Sequence, residues 1–327
     1  MALLRRIAPA LLLILIAPLI AEFLLGDLSL DRILLLGVLA PLYGGGALFI
    51  REVARQTKRG WPTMLCLASV FGVLEEGIGD QTLFNPDFLN AHLLDYGWIP
   101  ALGMGSVLTV FIISLHVVWS IATPIGLVEL LFARRRTDPW LGRAGLALSF
   151  LVYAAGLAML TSNFLRTFSA QPFQYGIVAI FVALGLAATL LVSRPRALTR
   201  GAYGAAPSAW LFGLLAFGGT SLAMLLFIFG DKSWHVPAPV TVAAILLLDG
   251  GGLAFIFASA RRSGWSNMHR FALVSGTLLT YCWTGLYKAR IATPSFLASQ
   301  IILVGGVLIL LVLTGVALRR DGAGRGL

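Results

Sequence analysis

Ten stretches of predominantly apolar residues follow one another along the chain, and each is long enough, at about twenty residues, to cross the hydrocarbon core of a bilayer. They run over about 7–25, 33–50, 61–83, 101–132, 143–163, 174–193, 209–229, 237–260, 270–287 and 297–318. Only short loops and tails remain, so no separate soluble domain fits. Of the 327 residues 58% are hydrophobic and 12% charged, about half the charged share of an ordinary soluble domain. A soluble enzyme, a nucleic-acid reader and a disulfide scaffold are thereby excluded. The expected fold is all-α: one polytopic transmembrane helix bundle spanning 1–327, with the lipid bilayer as its first partner.

The net charge of +10 carries its information in its placement. With the start of the chain on the cytoplasmic side, nineteen of the 24 cations fall in inside segments, among them Arg5 and Arg6, Arg51 to Arg59, Arg134 to Arg143, Arg194, Arg196, Arg200, Arg261, Arg262, Arg270 and Arg319 to Arg325. The outside segments hold Arg32, Arg166, Lys232, Lys288 and Arg290. This is the positive-inside asymmetry. It predicts a bacterial-type inner membrane protein with both termini cytoplasmic. The first span, behind Arg5 and Arg6, has the basic start of a secretory signal but an apolar run long enough to be kept as an anchor. Cys66 and Cys282 both fall within spans and read as small buried hydrophobes.

Ionisable side chains inside the hydrocarbon cost about 2.5–3.5 kcal/mol each at a helix centre, so those that occur there point to function. Glu75 and Glu76 lie about 21 Å along span three from its inner end, in the outer half of the membrane. Being adjacent, they are about 100° apart on a regular helix and are not expected to reach one spot. Gly72, Gly77 and Gly79 flank them and thin the helix, so that a backbone or a ligand can approach. His116 lies near the middle of span four. Thr109, His116, Ser120 and Thr123 recur at spacings of seven, four and three, which is one helical stripe, and Pro124 follows where it can kink the helix. Spans three and four are consecutive, and His116 falls near the depth of the glutamates. Asp249, before Gly250-Gly251-Gly252, is a further intramembrane acid. Glu22 and Glu129 lie nearer span ends, within reach of head groups, and stay outside the expected site. His92, His235 and His269 fall in loops or at their edges. Between spans three and four, Asn85, Pro86 and Asp87 suit the start of a surface helix over about 86–96. Its face of Phe88, Leu89, His92 and Leu93 is expected to rest on the membrane or to cover the glutamates.

Gly60-Trp61, Phe71-Gly-Val-Leu-Glu-Glu-Gly, Phe84-Asn-Pro, His116-Val-Val-Trp-Ser and Pro139-Trp-Leu-Gly resemble, across residues 44–142, a group of uncharacterised multi-pass bacterial membrane proteins. Part of the pattern also resembles the CAAX-processing and bacteriocin-processing (CPBP) intramembrane protease family. That family pairs a Glu-Glu-x-x-x-Arg helix with Phe-x-x-x-His and His-x-x-x-Asn helices around an activated water, with or without a metal. Glu75 and Glu76 match the acidic pair. Asp80 stands where arginine is expected, Ile112 or Ser120 departs from the histidine motifs, and a second intramembrane histidine is missing from the pattern.

Three functions follow, and the first is favoured, because the CPBP-like motif accounts for adjacent glutamates that transport alone does not require. In an intramembrane hydrolase of membrane peptides, Glu75 or Glu76 acts as general base and His116 binds a divalent metal or stabilises developing charge. A catalytic zinc site takes three protein ligands, to be drawn from Glu75, Glu76, His116 and Asp80. In a transporter, Glu75, Glu76, His116 and Asp249 bind a proton, a cation or a small cationic substrate. In a scaffold or assembly factor the same groups only hold helices together.

Overall fold

In the computed structural model, which describes residues 2–191 and 204–323, the chain folds into a bundle of ten long helices. They are α1 (Arg6–Leu24), α2 (Leu30–Gln56), α3 (Trp61–Gly79), α4 (Ser106–Leu131), α5 (Arg143–Phe164), α6 (Pro172–Leu191), α7 (Ala209–Phe229), α8 (Ala238–Ser259), α9 (Asn267–Ala289) and α10 (Pro294–Arg320). Among the described residues, nine of them are long and apolar enough to cross a membrane. The ninth in order, α9, is the exception. It has the length of a span, 23 residues, but carries its polar groups into the bundle instead of avoiding them. Thr280 hydrogen-bonds with Thr220 and Ser221 of α7, and Trp283 Nε1 donates to Ser221 Oγ at 2.9 Å. Small and hydroxylated side chains hold membrane helices together in this way, because lipid offers them no other partner. Arg194, Arg196, Arg200 and Arg325, part of the charge asymmetry, lie outside the described residues, as does the side chain of Arg5.

The bundle has an inner and an outer tier. In α1 to α4, 50–61% of the apolar window is buried, against 11–17% in α5 to α8 and α10. The outer tier therefore turns most of its surface to the apolar surroundings, while α1 to α4, with α9, form the interior. Close backbone crossings make that interior dense. At Gly44, a Cβ would lie 2.2 Å from the Ile14 carbonyl oxygen of α1, so only glycine lets the first two helices meet there. The aromatic stack of Trp119 on Tyr281, 4.5 Å between ring centroids, ties α4 to α9.

Each of α1 to α4 contains one π-helical segment: Leu19–Leu24, Ala40–Gly44, Glu75–Gly79 and His116–Ala122. Prolines and glycines account for them. Pro18 immediately precedes the first, Pro41 lies within the second, Gly77 and Gly79 lie within the third, and Pro124 follows the fourth. A proline removes one backbone donor and crowds the carbonyl four residues back, which favours the wider turn. Pro124 therefore acts just upstream of its own position, and the chain resumes as regular α-helix over Thr123–Leu131.

The surface helix expected over 86–96 does not form. A single 3₁₀ turn covers Phe88–Asn90, and Leu89, Asn90 and His92 take positive φ of 50°, 55° and 50°. Left-handed residues stop a right-handed helix. Asn85 does cap locally, accepting from the Asp87 N–H at 3.1 Å. The segment is held instead by buried Leu94 and by Tyr96, whose hydroxyl bonds the Val236 carbonyl and Thr241 at 2.6 Å each. A two-residue hairpin, Trp98–Ile99 against Met104–Gly105, closes the loop.

Candidate functional site

Every π-helical segment among the described residues delivers a side chain to one buried cluster. Glu22 comes from α1, Tyr43 from α2, Glu75 and Glu76 from α3, and His116 with Ser120 from α4. The imidazole is the hub. Its Nε2 lies 2.6 Å from Glu76 Oε1, and its Nδ1 lies 3.0 Å from Ser120 Oγ and 3.1 Å from Glu75 Oε2. The two adjacent glutamates thus meet one ring from both ends, which a regular helix does not favour. The wider π turn that begins at Glu75 changes their relative direction, and the imidazole is broad enough to offer a nitrogen to each. The expectation that they cannot share a target is corrected on that account.

The cluster extends on both sides of the histidine. The Tyr43 hydroxyl contacts Glu75 Oε1 and reaches Glu22 Oε1 at 2.5 Å, and Thr82, from the start of the outer loop, donates to Glu76 Oε2. Thr82 is thus a loop residue that reaches Glu76. Glu22 is not at the head groups but in the site, because the π turn after Pro18 points it inward. Tyr43 and Thr82 are members that the sequence reading missed. The Pro41 beside Tyr43 was a usable signal for the first; a threonine in a loop offered none for the second. Phe71 and Tyr43 cover the imidazole, with ring centroids 5.8 and 6.3 Å away.

Gly72 performs the expected thinning: a Cβ there would come within 3.0 Å of His116 Cβ. Gly77 and Gly79 face Val178 of α6 and Leu160 of α5. Their space is taken by neighbouring helices, not by a ligand. Two buried atoms near the cluster have no hydrogen-bond partner, Glu75 Oε2 and the Tyr153 hydroxyl. Asp80 stands just beyond the end of α3 and accepts from the Thr82 N–H at 3.2 Å. Burial and the nearby Glu76 carboxylate hold its carboxyl well above the usual range.

The other candidates are elsewhere. Thr109 bonds the carbonyl of Gly105, the residue just ahead of its own helix, and Thr123 bonds Thr277 of α9 at 2.9 Å. The π segment breaks the stripe, so only His116 and Ser120 share the cluster. Asp249 is bonded to Ser114 at 2.5 Å, two residues before His116 and so about 200° away around α4. It belongs to a different face. His269 is not a surface residue: it is buried and caps α9, with Nδ1 accepting from the Ser266 N–H and Nε2 donating to the Pro207 carbonyl at 2.9 Å.

As for a metal, among the described residues no group of three or more His, Cys, Asp and Glu side chains is arranged to hold an ion. Both imidazole nitrogens point at carboxylates, so the cluster's donors are directed at each other and not at a shared central point.

A second polar cluster lies toward the opposite ends of the same helices. Arg51, fully buried, bonds Glu52 at 2.5 Å and Glu129 at 3.1 Å, donates to the carbonyls of Arg136 and Asp138, and stacks 3.3 Å over Trp140. Arg55 binds both oxygens of Glu129 at 2.7 Å. Glu52 accepts the backbone N–H groups of Trp140 and Leu141 at 3.1 and 3.0 Å. Glu129, expected at the head groups, is instead consumed in this lock. The Pro139-Trp-Leu-Gly string is the backbone that Glu52 clamps.

The fold and the cluster define a multi-pass helical membrane protein with an acid-rich, histidine-centred site among its first four spans. A family model described as an uncharacterized membrane protein family matches residues 11–320, and the chain belongs to that family. The match extends well beyond the 44–142 stretch that carries the motifs. No curated protein and no solved structure matches the chain.

Proposed function

We propose that the Glu22, Tyr43, Glu75, His116, Glu76 cluster is a proton-binding centre and that the protein is a proton-coupled membrane carrier. The observation that carries this reading is the continuous line of hydrogen-bonding groups assembled entirely from four π-helical segments. Such segments occur mostly at functional positions, because they interrupt an otherwise favourable helix. The inventory of protons supports it. A phenol carries one proton, yet the Tyr43 hydroxyl contacts a carboxyl oxygen on each side, so both contacts are hydrogen bonds only when one carboxyl brings a proton of its own. His116 then shares its ring protons with Glu76, Ser120 and Glu75. Two carboxyls face one imidazole and a third is joined to them through Tyr43, which leaves a place for protons to be taken up and released as the helices move.

Titration of the purified protein by infrared difference spectroscopy tests this. A carboxyl band that changes with pH is expected, reduced in Glu75→Gln and in Glu22→Gln. Proteoliposomes are expected to dissipate an imposed pH gradient, and His116→Ala to slow that process. Identical titrations and unchanged dissipation in all three variants overturn the proposal.

A second reading is favoured by one feature, Glu75 Oε2, which is buried without a hydrogen bond and lies 3.1 Å from His116 Nδ1. A carboxylate oxygen paired with an imidazole can serve as general base toward a water, as the CPBP resemblance implies. Cleavage of a membrane peptide that is lost in Glu75→Gln supports hydrolysis; cleavage retained in that variant removes it. In either reading, the arginine asymmetry supports an orientation with the Arg51 end of the bundle and both termini on the cytoplasmic side of a bacterial-type inner membrane.

A further inference from the structure

Asp249 stands near the middle of α8, about 15 Å from either end of that helix. It lies on the wall of a groove of about 980 Å³ between α3, α4, α7, α8 and α9, at the upper end of the roughly 300–1,000 Å³ usual for small-molecule sites. The walls around it are mostly apolar. Phe111 and Trp119 line the groove on α4, to either side of Ser114, and Gly218 and Gly251 keep the walls of α7 and α8 low, since a Cβ at either would meet nothing within 4 Å. The Asp249 carboxyl is only partly buried, and its one partner is Ser114 Oγ, 2.5 Å from Oδ2. Among the described residues nothing bonds Oδ1, which stays open to the groove.

Ser114 reports the protonation of this acid. Its single hydroxyl proton faces two oxygens, the Val110 carbonyl at 2.8 Å and Asp249 Oδ2. Both contacts are hydrogen bonds only when Asp249 brings a proton of its own and donates it to Ser114 Oγ. The surroundings supply no cation to replace that proton. On α7 there is no ionisable side chain, on α8 there is no other, and α4 carries only Glu129 and His116, the latter on its opposite face. The other charged side chains lining the groove are Glu129, Arg136 and Arg270. Glu129 lies fifteen residues along α4 from Ser114, about 22 Å, and the two arginines meet Asn267 at that same end.

We propose that Asp249 is the counter-ion in a binding site for a monovalent organic cation with an apolar body, such as a quaternary ammonium or phosphonium, which takes the place of the carboxyl's proton. The O–H bond breaks, the proton passes to water, and the carboxylate left behind pairs with the cation, so the charge inside the groove stays at zero. Hard metal cations take six or more oxygens; one carboxyl and one hydroxyl are too few for them. A weakly hydrated organic cation needs only the one carboxylate, and it gains apolar walls and the rings of Phe111 and Trp119. Binding at Asp249 stands by itself; that the bound cation is the carried substrate rests on the carrier reading given above.

Equilibrium dialysis of the purified full chain in detergent against tetraphenylphosphonium, and against neutral triphenylphosphine oxide, tests the proposal from about pH 6 to about pH 8. The wild type is expected to bind the phosphonium up to about tenfold more tightly per pH unit gained, because the proton competes for the same carboxyl. The neutral oxide should bind alike throughout. Asp249→Asn is expected to bind the phosphonium roughly thirtyfold more weakly at the upper end of that range, without pH dependence, and to bind the oxide as before. Gly251→Leu, which places a side chain in the groove, is expected to weaken both ligands. A wild-type phosphonium affinity that ignores pH overturns the proposal, and decides the matter even where the Asp249 variant fails to fold. So does a pH dependence that Asp249→Asn retains. Binding with the expected properties in a protein that dissipates no pH gradient supports the site and overturns the carrier reading alone.

Discussion

The two polar clusters occupy the same helices and differ in charge balance. Toward the Arg51 end, two arginines meet two glutamates, and the remaining donors and acceptors are met by backbone groups of residues 136–141. About 12 Å away along α2, at Tyr43, three glutamates share one histidine and one tyrosine, and no arginine or lysine is bonded to them among the contacts described. The balanced cluster sits in regular α-helix; the unbalanced one sits wholly in π-helical turns. Burying charge is tolerable when opposite charges and hydrogen bonds satisfy it. The first cluster meets that condition as a permanent lock. In the proposed reading the second meets it by holding protons.

The largest test of the contrast is Arg51→Met, which strands Glu52 and Glu129 in the interior and is expected to destabilise the fold by about 3–5 kcal/mol, measured by unfolding in detergent. Wild-type stability in that variant would erase the distinction between lock and site. A double-mutant cycle of Glu22→Gln with Tyr43→Phe sharpens it: a coupling of about 1–2 kcal/mol is expected, whereas Glu22→Gln with Arg55→Gln, which share no partner, should be additive. Glu76→Gln keeps a hydrogen-bonding group opposite His116, so a stability loss of about 1 kcal/mol or less is expected, together with a clear loss of the pH-dependent infrared signal.

The smallest effect is expected at Asp80, whose carboxyl is raised by burial. A raised carboxyl binds its proton more tightly in the folded chain, so its contribution is fully present below the ordinary carboxylate range and is lost as pH climbs through the raised value. Asp80→Asn should therefore match the wild type in acid and exceed it in stability at higher pH, read from unfolding midpoints across a pH series. Equal pH dependence in both proteins would show that Asp80 is solvated in the fold.

Much of this arrangement was legible in the linear chain. Nine of the ten expected spans overlie helices long and apolar enough to cross a membrane, since hydropathy and length report directly on what a bilayer accepts, and the remaining one, over 270–287, is the polar-faced α9. Glu75, Glu76 and His116 were legible because each is costly where it stands, and Ser120 because it lies one helical turn from His116 on the same stripe. Glu22 was misjudged by its position near a span end, and Tyr43 was missed because an aromatic hydroxyl in a span is not costly enough to draw notice. The false helix at 86–96 came from Asn85 and Pro86, good local signals that were overridden by the anchoring of Leu94 and Tyr96.

What the amino-acid order determined unaided was the class of fold and its inventory of expensive groups, because the free energy of placing a side chain in hydrocarbon depends on the side chain itself. Which of those groups meet was decided by tertiary structure. Adjacent glutamates converge on one ring only because a π turn redirects them and Gly72 admits the helix that carries the histidine. Asp249, equally costly in the sequence, faces a different side of α4. Direction around a helix depends on turn width and on the neighbour across the interface, and neither is written at any single position.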